Sequence, residues 1–362
     1  MSSFSSLFKL LVLSSVVAAV PSKGSKRATC TVASVADSND IAGCSVVTID
    51  SFTVPANSTV VMKPDSGATV TMAGDITFDK TTVDGPLFTI QGTDINFDGA
   101  NHTFDGNGPL YWDSLGGNGG THKPHPFLKF RGSGNYSNFE VLNSPAHAIS
   151  VGPSTGSMVF DTVTVDNSAG DAGNLGHNTD GFDVSADNVT IQHCIVKNQD
   201  DCIAINNGNN IQFLDNECSG GHGISIGSIA TGKHVSSVTI KGNAVTNSTY
   251  GLRVKVQASA TNASVSGVTY DGNTLTGITR YGLLITQSYP ENEGKAGTGG
   301  PISDINFTGD ATNINVTSKA TRVAVNCAAC TGNWDWSQLT VTGGNAGTIN
   351  SDQAQITGGN YM

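Results

Sequence analysis

The sequence predicts an all-β protein built as a parallel β-helix, a solenoid of stacked strand coils. Three observations favour this fold class: 44 of the 362 residues are Gly, only 13% are charged, and short runs of alternating apolar and polar residues recur along the chain. Alternation with a period of two is typical of strands that bury one face. Coiled coils and helical solenoids need more charge for their polar faces. With 37% apolar residues the chain can bury a core, which argues against disorder.

The spacing of the alternating runs identifies the repeat. Successive runs begin at Val189, Ile211, Val238 and Val268, so three consecutive repeats are 22, 27 and 30 residues long. Repeats of this length made of short strands and Gly/Asn turns indicate a solenoid, with polar Asn and Thr expected to stack at the turns. A β-propeller is the structural alternative, but its blades need four antiparallel strands and repeats nearer 40 residues.

The N-terminal segment reads as a targeting sequence. Residues 7–20 form an apolar run that is too short for a membrane span and ends in small residues, which is typical of a secretory signal. Lys26-Arg27 resembles a dibasic processing site. We therefore predict a signal peptide at residues 1–20, a propeptide at 21–27 and a secreted, extracellular product that begins at Ala28.

The remaining chain, residues 28–362, is predicted to form a single domain. No shift in composition marks a linker, and the Gly-rich segments 116–120 and 291–300 read as loops within the repeat. Helical periodicity is nearly absent apart from residues 32–42, which are predicted to form a short N-terminal helix that caps the first coil. A solenoid needs such a cap because its last coil otherwise exposes an apolar, unpaired edge.

Sequons and cysteines agree with an oxidising, extracellular setting. Eight asparagines lie in Asn-x-Ser/Thr contexts and are glycosylation candidates: Asn57, Asn101, Asn135, Asn188, Asn247, Asn262, Asn306 and Asn315. Seven cysteines suggest three disulfide bonds and one spare thiol. Sequence proximity favours the pairs Cys30–Cys44, Cys202–Cys218 and Cys327–Cys330. Cys194 then remains as a buried small apolar residue, and a zinc site at Cys327-x-x-Cys330 lacks a second pair of ligands.

Charged residues are rare enough that their clusters carry information. Asp180 lies 21 residues before Asp201, which lies 21 residues before His222, and Asp200 adjoins Asp201. In a β-helix with coils of that length, Asp180, Asp201 and His222 occupy one position on successive coils, about 4.7–4.9 Å apart. Further on, an Arg-Val-Lys run places the side chains of Arg253 and Lys255 on one face of a strand.

This combination favours glycoside hydrolysis, in which one carboxylic acid protonates the leaving oxygen and a carboxylate activates water. Clustered carboxylates raise the pKa of one another, which can keep an acid protonated in mildly acidic solution. Each cluster has a structural alternative as a turn, a solvated bend or a charged strand face. Calcium binding is a further alternative, but the neighbouring Arg and Lys disfavour a divalent cation, so we predict neither metal nor cofactor.

Taken in order, four motifs resemble the polygalacturonase family of pectin-degrading glycoside hydrolases, as in its fungal endo-acting members. They are Asn178-Thr179-Asp180, Asp200-Asp201, Gly221-His222-Gly223 and Arg253-Val254-Lys255, and the longer stretches NQDDCIAIN (198–206) and CSGGHGISIGS (218–228) match closely. The resemblance covers about residues 28–345. It implies a right-handed parallel β-helix and hydrolysis, with inversion, of α-1,4 bonds in homogalacturonan.

The resemblance also implies roles for individual residues. Asp200 looks like the general acid, Asp180 and Asp201 like the pair that orients and deprotonates water, and His222 like the histidine that supports the acid. The substrate-binding residues implied by the motifs are Asn178, Arg253, Lys255 and Tyr289. Because no large insertion closes one end of the groove, endo action is favoured over exo action, and hydrolysis of xylogalacturonan or rhamnogalacturonan is an alternative.

The net charge of −11 limits the partners. An acidic chain lacks the basic surface of a general nucleic-acid binder, and no segment after the signal could span a bilayer. A polyanionic pectin chain must therefore be recruited by local cations such as Arg253 and Lys255. We predict a monomer that binds homogalacturonan, and a non-catalytic polysaccharide-binding solenoid is the alternative from outside the enzymes.

Overall fold

The computed structural model describes residues 1–2 and 28–362. Apart from residues 1–2, the predicted signal peptide and propeptide lie outside the described residues. From Ala28 onward the chain forms strands joined by turns, loops and short 3-10 helices, and all strand pairings of residues 28–362 are parallel. The fold is the parallel β-helix that the sequence predicts. Among the described residues, no helix has the length and apolar character needed to cross a membrane.

The strands in chain order are β1 Ala28–Val32, β2 Cys44–Ile49, β3 Phe52–Val54, β4 Val60–Met62, β5 Thr69–Met72, β6 Ile76–Phe78, β7 Phe88–Asp105, β8 Leu128–Leu142, β9 Ile149–Asp161, β10 Thr164–Asp166, β11 Phe182–Ser185, β12 Val189–Gln192, β13 Ile195–Lys197, β14 Ile203–Leu214, β15 Glu217–Ser219, β16 Ile224–Ile229, β17 His234–Lys241, β18 Ala244–Thr246, β19 Tyr250–Gln257, β20 Ser264–Asp271, β21 Thr274–Ile278, β22 Tyr281–Tyr289, β23 Ile302–Phe307, β24 Thr312–Asn326, β25 Cys330–Thr331, β26 Asn333–Asp335, β27 Leu339–Asn345, β28 Ile349–Asn350 and β29 Gln355–Thr357. Short 3-10 helices cover Asp37–Asn39, Gly108–Leu110, Gly116–Asn118 and Ser168–Asn174.

The strands stack into three long parallel sheets that wrap around one core. Sheet 1 contains β4, β7, β8, β9, β11, β14, β16, β19, β22 and β24. The long strands β7 and β8 bend at corners and contribute to all three sheets. The repeat read from the sequence is confirmed, because Val189 pairs with Ile211, Ile211 with Val238, and Val238 with Val268.

Polar ladders satisfy the backbone at one corner, as predicted for Asn and Thr. Asn216, Asn243 and Asn273 are at most 1% exposed, and each accepts a backbone N–H bond through its side-chain oxygen. Thr312 ends the ladder on one side, and the Cys194 N–H begins it on the other. Cys194 is a buried free thiol, as predicted. A ladder of this kind matters because each unpaired buried polar group would cost about 1–3 kcal/mol.

Both ends of the described stack are closed. The N-terminal cap is shorter than the predicted helix over 32–42: Val32 belongs to β1, where it pairs with Ile49, and a single 3-10 turn follows at Asp37–Asn39. The pairing of β1 therefore takes the residues that would begin a longer helix. At the other end, β26 and β29 form a two-stranded sheet that buries Trp334 and Trp336.

The structure contains the three predicted disulfide bonds, Cys30–Cys44, Cys202–Cys218 and Cys327–Cys330. Seven of the eight sequon asparagines are exposed, and Asn306 is half-buried. Glycosylation at these positions stays a prediction, as do the single-domain assignment of residues 28–362 and the monomeric state.

Candidate active site

One register position on sheet 1 carries most of the candidate site. Phe182, Ile203, Ile224 and Leu252 are direct partners on successive strands, so the residues two places before each also lie in line. The predicted column of Asp180, Asp201 and His222 is therefore present. The same rule extends the column at both ends: its members are His147, Asp180, Asp201, His222, Tyr250 and Tyr281.

The turn that holds His222 requires glycine on both sides. A Cβ at position 221 would overlap the carbonyl oxygen of Asp200. Gly223 has a φ of +71°, and a Cβ at this position would overlap the carbonyl oxygens of Tyr250 and Gly251. An L-residue with a side chain rarely adopts that φ. The Gly-His-Gly motif is thus the local solution that lets the His222 backbone N–H bond to the Asp200 carbonyl oxygen at 2.7 Å.

Asp200 is held from several directions. His222 Nδ1 lies 2.9 Å from its Oδ1, and Asn178 Nδ2 donates to its Oδ2 at 3.0 Å. Burial opposes the charged form, but the hydrogen bond with His222 and the positive charges of His222, Lys255 and Arg253 lower the pKa of Asp200. Asp200 is therefore the ionised member of the site before any substrate binds.

Asp201 is buried and fully engaged. Its Oδ1 accepts from Ser225 Oγ at 2.7 Å and from Arg253 Nη2 at 2.6 Å, and its Oδ2 accepts from Lys255 Nζ at 2.6 Å. Asp201 is 1% exposed, and Arg253 and Lys255 are each 5% exposed. Burial alone would lower the pKa of both cations, but the charge of Asp201 raises it. Asp201 thus fixes the positions of the Arg253 and Lys255 side chains and neutralises one of their two positive charges.

Asp180 lies in a different environment. Its Oδ1 is buried without a hydrogen-bond partner and lies 3.6 Å from Nε2 of His147. Burial and the negative charges of Asp200 and Asp183 raise the pKa of Asp180 well above its usual range. The raised pKa of Asp180 thus favours its protonated form in the free protein, whereas the lowered pKa of Asp200 favours the ionised form.

His147 is the residue that sequence reasoning missed. Its Nδ1 lies 3.1 Å from Oδ2 of Asp183, and its ring lies 5.1 Å from that of His125. Burial opposes protonation, but the contact with Asp183 and the charges of Asp180, Asp183 and Asp200 raise the pKa of His147 to about 9. One sequence signal could have identified it. His147 lies two residues before Ile149, the first residue of β9, just as Asp180 lies two residues before Phe182, the register partner of Ile149.

All eight predicted site residues border two adjacent cavities on the outer face of sheet 1. A cavity of about 490 Å³ is lined by Asp200, His222, Tyr250, Arg253, Lys255, Arg280 and Tyr289. A second cavity of about 230 Å³ adds His147, Asn178, Asp180, Asp183 and Asp201. Aromatic rings support the cations: the Arg253 guanidinium lies 4.2 Å from the Tyr250 ring centre and Lys255 Nζ lies 5.3 Å from that of Tyr289.

One set of groups has the spacing of a cation site. Ligand atoms of Asp200, Asp201 and His222 lie within 4.8 Å of one another. Both oxygens of Asp201 already bond to Arg253 and Lys255, and these positive charges oppose a divalent cation. The donor set therefore fits a proton-transfer site better than a metal centre, and the absence of a metal requirement stays a prediction.

The groove lies on a parallel β-helix, and it combines buried cations with carboxyl groups and a histidine. This combination defines a class of protein: a glycoside hydrolase acting on a polymer. The family profile described as "Glycosyl hydrolases family 28" matches residues 44–357. The chain belongs to glycosyl hydrolases family 28, and the resemblance to polygalacturonases is confirmed.

Named relatives and a solved structure agree. The chain is 42% identical to "Endopolygalacturonase 1" of Colletotrichum lindemuthianum, over 93% of this chain and 94% of that protein. It is 39% identical to "Polygalacturonase" of Cochliobolus carbonum, over 92% of this chain and 93% of that protein. The structure of endopolygalacturonase I from Stereum purpureum, solved with two galacturonates, is 71% identical with a TM-score of 0.92 and covers 92% of this chain and 100% of that one.

Proposed function

We propose that this protein is a secreted endo-polygalacturonase that hydrolyses α-1,4-galacturonosyl bonds of de-esterified pectin with inversion. The observation that carries the proposal is the set of Asp180, Asp200 and His222 beside the Arg253–Lys255 pair in one open groove. The names of relatives 39% to 42% identical support the same activity.

Substrate binding follows from charge. The protein carries a formal net charge of −11, so bulk attraction cannot recruit a polyanion. Arg253 offers bidentate geometry to a carboxylate, and Lys255 offers a point charge. Asp201 neutralises one of these two charges, so the pair presents a net single positive charge to a galacturonate carboxylate, with Tyr289 bordering the same cavity.

Catalysis needs a proton on Asp200. A galacturonate carboxylate at Arg253 and Lys255 would offset the positive charges that lower the pKa of Asp200, and this favours transfer of a proton from Asp180 to Asp200. Substrate binding would in this way convert the resting site into the reactive one.

The reaction then runs in one displacement. Asp200 gives its proton to the glycosidic oxygen, which leaves with the electron pair of the broken carbon–oxygen bond. Water attacks the anomeric carbon from the opposite face, and the ionised Asp180 accepts the proton of the water. The oxygens of Asp201 already accept three hydrogen bonds. Asp201 therefore keeps Arg253 and Lys255 in place beside that water.

Product analysis on polygalacturonate, with and without EDTA, tests the function. We expect new reducing ends, no absorbance from an unsaturated product and equal rates in both conditions, because neither step uses a metal ion. An unsaturated product or loss of activity in EDTA would instead indicate Ca²⁺-dependent elimination. No turnover at all would favour the non-catalytic binding protein, and a slow fall in viscosity per bond cut would indicate exo action.

Arg253→Ala should weaken recognition of charged substrate selectively. We expect kcat/KM for galacturonate oligomers to fall by about 100-fold, because a buried charge-assisted contact is lost, while methyl-esterified oligomers lose much less. The measurement compares kcat/KM for the two substrates in the variant and in the wild type. An equal loss on both substrates would assign Arg253 a purely structural role.

Secretion and processing are part of the proposal. Disulfide bonds form and persist in oxidising compartments, and three bonds are present in the described residues. Together with the predicted signal at residues 1–20 and the dibasic Lys26-Arg27, they support an extracellular protein that begins at Ala28. N-terminal sequencing of protein secreted into the medium tests the cleavage site, and mass spectrometry of its peptides before and after glycosidase treatment tests the eight sequons.

A further inference from the structure

The connection between β7 and β8 contains a glycine-rich loop with a fixed shape. The loop runs from Asp113 to Lys123 and includes four glycines. Lys123 is 3% exposed, and its Nζ lies 2.6 Å from Oδ1 of Asp113 and 2.9 Å from the carbonyl oxygen of Thr121. The Thr121 N–H donates to Oδ2 of Asp113 at 2.6 Å. A buried ion pair therefore closes the 113–123 loop and restrains a segment whose glycines alone would leave it mobile.

The 113–123 loop contacts the side chain of Asn178. The Gly117 N–H donates to Oδ1 of Asn178 at 3.1 Å, and Nδ2 of Asn118 donates to the same oxygen at 3.2 Å. Gly116 has a φ of +58°, and a Cβ at this position would overlap Oδ1 of Asn178. Glycine adopts that φ without strain and leaves room for the oxygen. The loop therefore comes close enough for both hydrogen bonds because position 116 is glycine.

These two donors determine which end of the Asn178 amide faces Asp200. A side-chain amide has an oxygen that accepts and an NH2 group that donates, and a backbone N–H can only donate. With its oxygen toward Gly117 and Asn118, the Asn178 amide turns Nδ2 toward Oδ2 of Asp200, to which it donates at 3.0 Å. The reverse orientation would place the amide oxygen against a carboxylate, which is repulsive. Water in place of the loop could donate or accept, and would not select one orientation.

The orientation of the Asn178 amide matters for Asp200. His222 Nδ1 lies 2.9 Å from Oδ1 of this carboxyl group and Asn178 contacts Oδ2, so the two residues together oppose its rotation. A proton donor acts efficiently only when it is held in line with the leaving oxygen. Residues 113–123, all of which the structure describes, line neither cavity of the candidate active site. Any effect of the loop on the reaction therefore passes through Asn178.

We propose that the 113–123 loop positions Asp200 through Asn178, and that Asn118 is a positioning residue for the proton donor. The inference rests on the proposed function, because it takes Asp200 as the group that protonates the leaving oxygen. It assigns a role in the chemical step to a segment outside the groove. Substitutions at Asn118 should therefore lower kcat and leave KM nearly unchanged.

Two substitutions of Asn118 in the full mature chain test the proposal. Asn118→Ala removes one of two donors and should lower kcat for polygalacturonate about fivefold, as expected for one neutral hydrogen bond. Asn118→Asp puts a charged acceptor of the same shape in place of the donor, which favours the reversed amide, so kcat should fall about 50-fold. KM should stay within about threefold of wild type in both variants. Because Asn118 is exposed, both should keep the wild-type midpoint of urea unfolding.

A second substrate separates positioning of the proton donor from a general loss of structure. A galacturonide with a good phenolate leaving group needs little protonation, so Asn118→Asp should lose at most about fivefold in kcat on it. Asn174→Asp is the matched control, because it makes the same change at another exposed asparagine. Gly117→Ala keeps the N–H and brings a methyl group to 3.6 Å from the His125 ring. Both controls should retain wild-type kcat on both substrates.

Three results would overturn the role of the loop: unchanged kcat in Asn118→Asp, an equal loss on both substrates, or an equal loss in Asn174→Asp. If Asn118→Asp folds poorly, Asn118→Ala carries the same comparison of substrates with a smaller effect. Failure of the proposed function gives a different result. The wild type would then release no saturated product from polygalacturonate, or Asp200→Asn would lose kcat equally on both substrates.

Discussion

Asp200→Asn should lower kcat for polygalacturonate by about 1,000-fold or more and leave KM within about threefold of wild type. An amide cannot give the proton that the leaving oxygen needs, yet it keeps the shape of the side chain and can still contact Asn178 and His222. The loss should therefore fall on the chemical step and spare binding.

Initial rates of reducing-end release over a range of polygalacturonate concentrations measure this effect. Asp187→Asn is the matched control, because it makes the same chemical change at an exposed aspartate outside the groove. The control should retain wild-type kcat. Near-normal turnover of Asp200→Asn would exclude Asp200 as the proton donor.

A second substrate separates the donor of the proton from its acceptor. Because its raised pKa favours the protonated form, Asp180 is the rival proton donor. A galacturonide with a phenolate leaving group of low pKa needs little protonation. On that substrate the loss of kcat in Asp200→Asn, relative to wild type, should therefore be at least about 100-fold smaller than on polygalacturonate. Asp180→Asn should lose kcat equally on both substrates, since it lacks the carboxylate that accepts the proton of the attacking water. The reverse pattern would make Asp180 the acid.

The sequence predicts the fold well because strand alternation is local. Val189, Ile211 and Val238 each stand in a short run whose period of two marks one buried face, and their register follows from the coil length. Where coil length is constant, as from Asp180 to His222, the column of the site follows too. Between His147 and Asp180 the coil carries the insertion at Ser168–Asn174, so a fixed spacing cannot reveal that His147 belongs to the column.

Side-chain partners across coils are harder to predict. Alternation places Arg253 and Lys255 on the outer face, but it does not show that both reach across two coils to Asp201. The sequence-based interpretation made Arg253 and Lys255 a clamp for a galacturonate carboxylate, and it made Asp201, together with Asp180, the pair that orients and deprotonates water. The contacts instead make the three side chains one buried ionic unit, and this changes what a substitution at Asp201 should do.

Replacing Asp201 by Ala should destabilise the protein by about 3–5 kcal/mol, because it leaves two buried cations without their counterion. Ser225→Ala, which removes one neutral donor to the same carboxylate, should cost only about 1 kcal/mol. Urea unfolding at pH 7, followed by tryptophan fluorescence, gives the free energy of unfolding for each variant.

The triple variant Asp201→Ala/Arg253→Met/Lys255→Met tests whether unpaired buried charge causes the destabilisation expected for Asp201→Ala. Replacing a buried ionic group by apolar side chains of similar volume is often neutral, whereas breaking it by removing one member is costly. The triple variant should therefore be more stable than Asp201→Ala alone, though inactive. If it were less stable than Asp201→Ala, the destabilisation would come from lost packing and not from unpaired charge. In that case the neutralisation of Arg253 and Lys255 would not be the source of the stability that Asp201 provides.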